Sequence, residues 1–271
     1  MTEYFLEMFS YDFMLNALVA GGFVSISCAV MGVFLVLRKF SMIGDGLAHT
    51  SLATIALGMF LGVSPIGISI PLVIAASFFI MRLSQKATLW GDSAIGFVSA
   101  AAVAAAVMIV SLSNGFNTDL YGYLFGNILS ISVGELWISV MLSLVVIVFA
   151  VIFYRDLFAL SFDDDFAKVI GVKADILNTA IIVLTAVTVV LGVRVVGTML
   201  ISSLIIIPAI TALQISKNFK QTIIFSALIA MFSVIVGISL SFFLDIPTGA
   251  TIVLINVLLF LIAFSAKLLG K

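Results

Sequence analysis

Long apolar runs separated by short polar stretches divide this chain of 271 residues. A run of about 20 apolar residues can cross a bilayer as an α-helix, so the pattern predicts an all-α bundle of membrane-spanning helices. We expect nine spans, with eight as the alternative count, because Pro65 lies at a tight corner between the second and third. The stretch 120–131 is too short to cross, and we expect a surface or re-entrant helix there. The predicted spans cover residues 13–37, 45–63, 65–81, 92–113, 134–154, 177–193, 197–215, 221–243 and 248–266.

The composition agrees with this membrane assignment and narrows the class of function. Hydrophobic residues make up 63% of the chain and charged residues 9%, a balance that no soluble fold can bury. The single cysteine, Cys28, excludes a disulfide within one chain. The sequence has no Gly-x-Ser-x-Gly, no His-Glu-x-x-His and no phosphate-binding loop. We therefore expect neither an enzyme nor a bound cofactor, and we expect contact with membrane lipid and none with nucleic acid.

The basic residues predict an orientation for the nine-span path. All of them except Arg194 fall on one side, which the positive-inside rule assigns to the cytoplasm. In a bacterial plasma membrane the N-terminus is then expected outside and the C-terminus in the cytoplasm. The outer side carries acidic residues, which favour cations nearby but are more simply explained as solvated loop charges.

The stretch 44–53, Gly-Asp-Gly-Leu-Ala-His-Thr-Ser-Leu-Ala, carries the strongest candidate chemistry. Asp45 precedes His49, the only histidine of the chain, by four positions, which places both side chains on one face of a helix. An ionisable pair inside an apolar span is costly and usually faces a polar pathway or a partner. Its oxygen and nitrogen donors suit a divalent cation such as zinc. The alternative is structural: Asp45 caps the helix and His49 hydrogen-bonds a neighbouring backbone group.

The longest polar stretch on the predicted cytoplasmic side covers residues 155–176. Three consecutive aspartates from Asp163 are typical of a helix start, and Gly171 is placed to end that helix. Three apolar residues then share one face at i, i+3 and i+4: Phe166, Val169 and Ile170. The pattern predicts a short amphipathic helix, whose apolar stripe either packs on its own membrane domain or docks on a cytoplasmic partner.

The run 195–212 combines small residues with a proline inside a predicted span. Gly197, Ser202 and Ser203 permit close approach of a neighbouring helix. Pro208 removes a backbone hydrogen bond and bends the helix. Close packing accounts for this run, and the lining of a gate or pore is the alternative.

Together these motifs resemble the membrane permease subunits of bacterial metal-ion ABC importers, the family that takes up zinc and manganese. The resemblance runs over nearly the whole chain, and its most specific part is the stretch with Gly44-Asp45 and His49. It implies the fold of type II-like ABC permeases, built as one transmembrane domain over residues 1–271. Four stretches carry it in the family's order: residues 38–49, 162–171, 197–212 and the Pro-Thr-Gly-Ala of 247–250.

The resemblance also implies partners and roles for particular residues. It implies a homodimer of this chain, two cytoplasmic ATPase subunits that hydrolyse ATP, and an extracellular or periplasmic metal-binding protein. It implies that Asp45 and His49 line the translocation path and contact the ion. It makes the cytoplasmic helix the coupling helix that docks on the ATPase, through Phe162, Asp163, Phe166, Ala167, Val169, Ile170 and Gly171.

The residues around Asp45 indicate which cargo to expect. The Gly-Asp-Gly-Leu-Ala-His stretch looks closer to the zinc members, since manganese members tend to read Ala-Ile-Ser-His after the aspartate, with a proline soon after. Two chains about a two-fold axis would bring together two aspartates and two histidines, which fit tetrahedral zinc. We expect zinc as the cargo, with manganese as the alternative.

Two other classes of function compete with this interpretation. A secondary cation transporter would need several membrane-embedded acids or paired broken helices, whereas this chain offers one clear embedded acid, Asp45. A structural membrane scaffold would not need an Asp-x-x-x-His pair in a span. The long cytoplasmic segment 155–176 also favours the ABC importer over the secondary transporter.

Overall fold

The structure, a computed structural model, describes residues 11–86, 91–113, 122–124, 126 and 131–269. Within these ranges the chain is all-α and contains no strand. The first ten residues and the last two lie outside the described residues. The surface or re-entrant helix expected over 120–131 also lies mostly outside them. Eleven helices of six residues or more follow one another in these ranges: α1 (Asp12–Leu37), α2 (Ile43–Phe60), α3 (Pro65–Lys86), α4 (Gly91–Leu112), α5 (Val133–Ile152), α6 (Tyr154–Phe162), α7 (Asp164–Val169), α8 (Ala174–Val196), α9 (Thr198–Ile215), α10 (Phe219–Leu244) and α11 (Thr248–Leu269).

Seven of these helices are long and apolar enough to cross a membrane: α1, α3, α4, α5, α8, α10 and α11. The prediction of an all-α, multi-pass membrane protein is confirmed. Helices α2 and α9 have 18 residues each and also coincide with predicted spans. The count of nine crossings stays a prediction, because both helices fall outside the seven that meet the length and apolarity needed.

Helix α1 forms the centre of the bundle. Its most apolar part is 78% buried, whereas the same measure is 17% for α11 and 28% for α5. Small residues allow this central position, since a Cβ atom at Gly32 would lie only 1.9 Å from the carbonyl oxygen of Ile205 in α9. Gly22, in contrast, faces open space. The outer helices expose large apolar side chains, as expected for surfaces that face lipid.

Contacts between helix ends give the direction of the chain through the bundle. Arg38, just after α1, bonds to Asn178 near the start of α8, and Gly21 in α1 lies beside Val195 near the end of α8. Helices α1 and α8 are therefore antiparallel. Lys267 near the end of α11 donates to Gln214 near the end of α9 at 3.0 Å, so these two helices run in the same direction.

The chain turns sharply between α1 and α2. The N–H of Phe40 donates to the carbonyl oxygen of Leu35, and the N–H of Lys39 donates to that of Val36, which together form a Schellman motif. Lys39 occupies the left-handed position with φ +61°, where glycine is usual. This turn sets the entry of α2, the helix that carries the candidate metal pair.

Candidate metal site and partner-docking surface

Asp45 and His49 lie on one face of α2, as their spacing predicted. The carboxylate Oδ2 of Asp45 is 3.7 Å from Nε2 of His49, too far for a hydrogen bond but close enough for one ion to contact both. Their side chains are 35% and 29% exposed, in a helix that is otherwise largely buried around them. The pair therefore opens toward the surface of this chain from within an apolar helix.

Ser202 of α9 completes the immediate surroundings of Asp45. Its hydroxyl donates to Oδ1 of Asp45 at 3.1 Å and so orients the carboxylate with Oδ2 toward His49. The sequence named Ser202 only as a pathway or packing residue. No local signal could connect it with Asp45, because 157 residues separate the two along the chain.

The two glycines that flank Asp45 explain how α2 is held. A Cβ atom at Gly44 would lie 2.8 Å from Ile205 of α9, and one at Gly46 would lie 2.9 Å from Ile95 of α4. Helix α2 is therefore packed closely between α9 and α4 at these two positions, where a side chain would require Ile205 or Ile95 to shift. The Asp45 side chain faces away from this packing and stays accessible.

The turn after α1 carries the chain back into the bundle before the Asp45–His49 pair. Gly44 is level with Ile205, which in turn touches Gly32 of α1, five residues before that helix ends at Leu37. At 1.5 Å per residue, the first turn of α2 lies about 8 Å inside the end of α1. The predicted span 45–63 begins at Asp45 itself, and the structure begins α2 at Ile43, after the chain has re-entered the bundle.

The structural alternative for the pair does not describe this structure. The N-cap of α2 is Met42, which makes no side-chain capping bond, and Asp45 is the third helical residue. The carboxylate of Asp45 accepts a bond from a different helix, through Ser202, instead of capping its own. The Nδ1 atom of His49 is buried without a hydrogen-bond partner among the described residues.

One chain supplies an incomplete ligand set. Among the residues that the structure describes, no group of three or more His, Cys, Asp or Glu side chains could hold a metal ion. Asp45 and His49 offer one carboxylate and one imidazole, and Ser202 adds a hydroxyl oxygen. Further donors would have to come from outside this set, through the face on which the pair is exposed.

The predicted cytoplasmic helix is present as α7. The Asp163 carboxylate caps its start by accepting from the N–H groups of Asp165 at 2.9 Å and Phe166 at 3.0 Å. Gly171, with φ +88°, follows its end in a second Schellman motif. The predictions of a helix start at the aspartates and of an end at Gly171 are both confirmed.

The apolar stripe of α7 faces away from the protein. Val169 is 84% exposed, and its neighbours Phe166 and Ile170 are also exposed. Phe162, at the end of α6, is exposed as well. The alternative that this stripe packs on its own membrane domain is therefore wrong for the monomer.

Two of the predicted docking residues are engaged within the chain. Ala167 is fully buried, which corrects its prediction as a direct contact, because its side chain anchors α7 from beneath. The Asp163 carboxylate caps α7.

Beside α7 an open groove of about 520 Å³ has an apolar floor from α5 and α8, with Asp156 and Lys173 among its lining residues.

The run 197–212 forms a hinge-like connection and a buried helix. Gly197 has φ +94° and alone joins α8 to α9, a conformation that favours glycine. Pro208 lies buried inside α9, where it leaves the carbonyl group of Leu204 without its usual helical donor.

The end of α8 is joined to α5 by an ion pair. Arg194, three residues before Gly197, donates to Oε1 of Glu135 at 2.9 Å.

Comparisons with known proteins agree with this architecture. A sequence model of the ABC 3 transport family matches residues 10–267. The manganese transport system membrane protein MntC of Halalkalibacterium halodurans is 32% identical over 265 residues, which cover 97% of this chain and 90% of that protein. The manganese import system permease protein ScaB of Streptococcus gordonii is 29% identical, over 97% of this chain and 94% of its own length.

Solved structures give the same result. PsaBC from Streptococcus pneumoniae in complex with Fab matches with a TM-score of 0.87 and 28% identity, over 97% of this chain and 95% of that chain. An inward-facing metal-chelate type ABC transporter matches with a TM-score of 0.74 at 18% identity, which shows a shared fold alone. This chain therefore belongs to the ABC 3 transport family, as a permease of the metal-ion ABC importer type.

Proposed function

We propose that this chain forms the translocation path of an ABC importer for a divalent first-row metal cation, with Asp45 and His49 as transient ligands. The observation that carries the proposal is the partly exposed pair on a largely buried helix, with Ser202 orienting the carboxylate. A transport site must hold its ion weakly enough to release it, and two ligands per chain suit that need. The whole chain, residues 1–271, acts as one transmembrane domain.

Manganese is the cargo that the available observations favour. The relatives MntC and ScaB carry the name of manganese, and they give no specific support to the zinc prediction. The site offers two oxygen donors, from Asp45 and Ser202, for each imidazole nitrogen. Oxygen-rich sites suit manganese, whereas zinc is the second candidate because a set of carboxylates and imidazoles also fits it.

A second copy of the chain would complete the site. The pair is open to the surface, and a half-buried stripe of α9 continues the same face with Ser202, Ile206 and Ile210. Packing this face on its two-fold mate would place two aspartates, two histidines and two serines around one axis. The dimer would at the same time remove an exposed carboxylate from the lipid.

ATP hydrolysis belongs to partner subunits in this proposal. The exposed residues of α7 would dock on a cytoplasmic ATPase, with Phe162 and Gly171 beside the stripe. Metal would reach the outer mouth from a separate extracellular or periplasmic binding protein. The resemblance to metal-ion importers supports both partners.

In the proposed orientation the chain crosses the membrane nine times. The N-terminus lies outside the cell, and the C-terminus and the end of the bundle that carries α7 lie in the cytoplasm. We expect Asp245→Cys, in the exposed turn before α11, to react with an impermeant thiol reagent added to intact cells. We expect Lys217→Cys, in the exposed turn before α10, to react only after permeabilisation. The native Cys28 is buried and leaves little background. The reverse labelling pattern would show that the orientation is wrong.

The function itself is tested by metal uptake into vesicles that contain the complex with its ATPase subunits. We expect ATP-dependent accumulation of manganese that exceeds that of zinc at equal free concentrations. Greater accumulation of zinc would restore the zinc prediction within the same mechanism. Uptake that continues without ATP but follows an imposed ion gradient would overturn the ABC mechanism in favour of a secondary transporter.

A further inference from the structure

Arg38 links the docking helix to the turn that leads to the metal pair. Its Nη2 atom donates to both carboxylate oxygens of Asp164, the first residue of α7, at 3.1 Å each. Its Nη1 atom donates to Oδ1 of Asn178 in α8. One side chain thus joins the end of α1, the start of α7 and the second turn of α8.

This link differs from an ordinary surface ion pair. The Arg38 side chain is only 14% exposed, and Asn178 is buried. Burial lowers the pKa of Arg38, and the charge of Asp164 opposes that shift. Because a buried guanidinium needs its partners, Arg38 and Asp164 will tend to move together.

The segment from Arg38 to Asp45 is short, and tight packing holds the end of it that carries Asp45. The strained residue Lys39 follows Arg38, and α2 begins four residues later at Ile43. The close contacts of Gly44 and Gly46 fix the first turn of α2 against α9 and α4. A shift at Arg38 must therefore be taken up by the turn 39–42 or passed to α2 as a rigid body.

The turn also has room to move. A cavity of about 30 Å³ lies beside Arg38, lined in part by Phe40, Ile43 and Asn178. Space next to a buried charged group permits a second arrangement of the turn without first breaking packed contacts. The same region touches α3 through Met81, so a shift would also reach the neighbouring helix.

We propose that Arg38 is the positioning residue through which movement of α7 reaches Asp45 and His49. The inference rests on the proposed docking of an ATPase on α7, and it adds the route by which that docking acts. Arg38 works through the α1–α2 turn. Its loss should therefore separate ATP hydrolysis from metal movement while both partners stay assembled.

The test measures metal ions taken up per ATP hydrolysed in the reconstituted complex, together with subunit association. We expect Arg38→Ala to lower this ratio about 10-fold while association and hydrolysis persist. Asp164→Asn should lower the ratio similarly, and the double variant should be no worse than either single change, because both remove one link. Arg38→Lys should recover part of the ratio, since one ammonium group can keep the charge but not both sets of partners.

Arg82→Ala is the matched control, because Arg82 is exposed and follows Met81 at the same end of the bundle. A wild-type ratio in Arg38→Ala would overturn the inference, as would a loss that only follows reduced assembly. If Arg38→Ala does not assemble, Asp164→Asn, at a half-exposed residue, decides by the same ratio. Phe166→Asp, Val169→Asp and Ile170→Asp separate the two proposals: normal association in all three variants would overturn the docking itself, and the inference with it.

Discussion

Asp45→Asn is expected to abolish metal uptake while the complex still assembles and inserts. The substitution keeps the shape of the side chain and its capacity to accept from Ser202, but it removes the negative charge that attracts the cation. In the proposed dimer it removes both embedded charges at once. We expect a loss of at least about 100-fold in the initial rate of uptake, since the change affects a ligand itself. The measurement is ATP-dependent uptake of manganese and of zinc into vesicles.

Neighbouring variants make this experiment decisive. Ser202→Ala removes the bond that orients the carboxylate and should reduce uptake by about 10-fold, with the charge still present. Ser203→Ala is the matched control on the same helix, because Ser203 is equally half-buried but has no hydrogen bond to Asp45. Wild-type uptake in Asp45→Asn would show that the ion passes elsewhere and that the pair is structural.

His49→Ala separates the two candidate ions. It removes the nitrogen ligand while leaving Asp45 and Ser202 as oxygen donors. Because zinc depends more on imidazole than manganese does, uptake of zinc should fall further than uptake of manganese. An equal loss for both ions would mean that His49 serves the path without discriminating between them.

The sequence predicted those features that depend on local pattern. Asp163 and Gly171 mark the two ends of α7 because capping chemistry is confined to a few consecutive residues. The spacing of Asp45 and His49 was sufficient to place both on one face, since helix geometry alone sets it. The nine helices of 18 residues or more in the described part of the chain likewise follow from apolar runs of helical length.

The features that the sequence missed depend on contacts between distant parts of the chain. Nothing near Ser202 indicates that its hydroxyl meets Asp45. The re-entry of the chain into the bundle before α2 leaves no hydropathy signal, and Lys39 stands where a glycine would have signalled the turn. Ala167 was assigned to the docking surface with its neighbours, but only the packed structure shows that it faces inward.

The geometry of the two sites suggests how they act together. The Asp45–His49 pair lies about 8 Å inside the end of α1, and α7 lies at that same end, joined through Arg38. In the proposed mechanism, a displacement at α7 therefore has a short way to travel before it reaches the pair. A site nearer the outer mouth would have required the displacement to cross most of the bundle.

Val169→Asp is expected to prevent association with the ATPase and so to eliminate uptake. Val169 is the most exposed member of the α7 stripe, so the substitution should leave the fold of this chain unchanged. Covering an uncompensated charge at an interface costs about 3–5 kcal/mol. A cost at the lower end of that range corresponds to about a 100-fold loss of affinity.

The measurement is co-purification of the ATPase with the tagged permease, followed by uptake in vesicles. Ile170→Asp and Phe166→Asp should behave as Val169→Asp does, because the three side chains share one exposed stripe. Lys168→Ala is the control on the same helix, since Lys168 carries an exposed charge whose partner, Asp165, lies within α7 itself. Wild-type association in all three aspartate variants would rule out this stripe as the docking surface, whereas failure of Lys168→Ala as well would indicate that α7 tolerates no change and that the three losses report its folding.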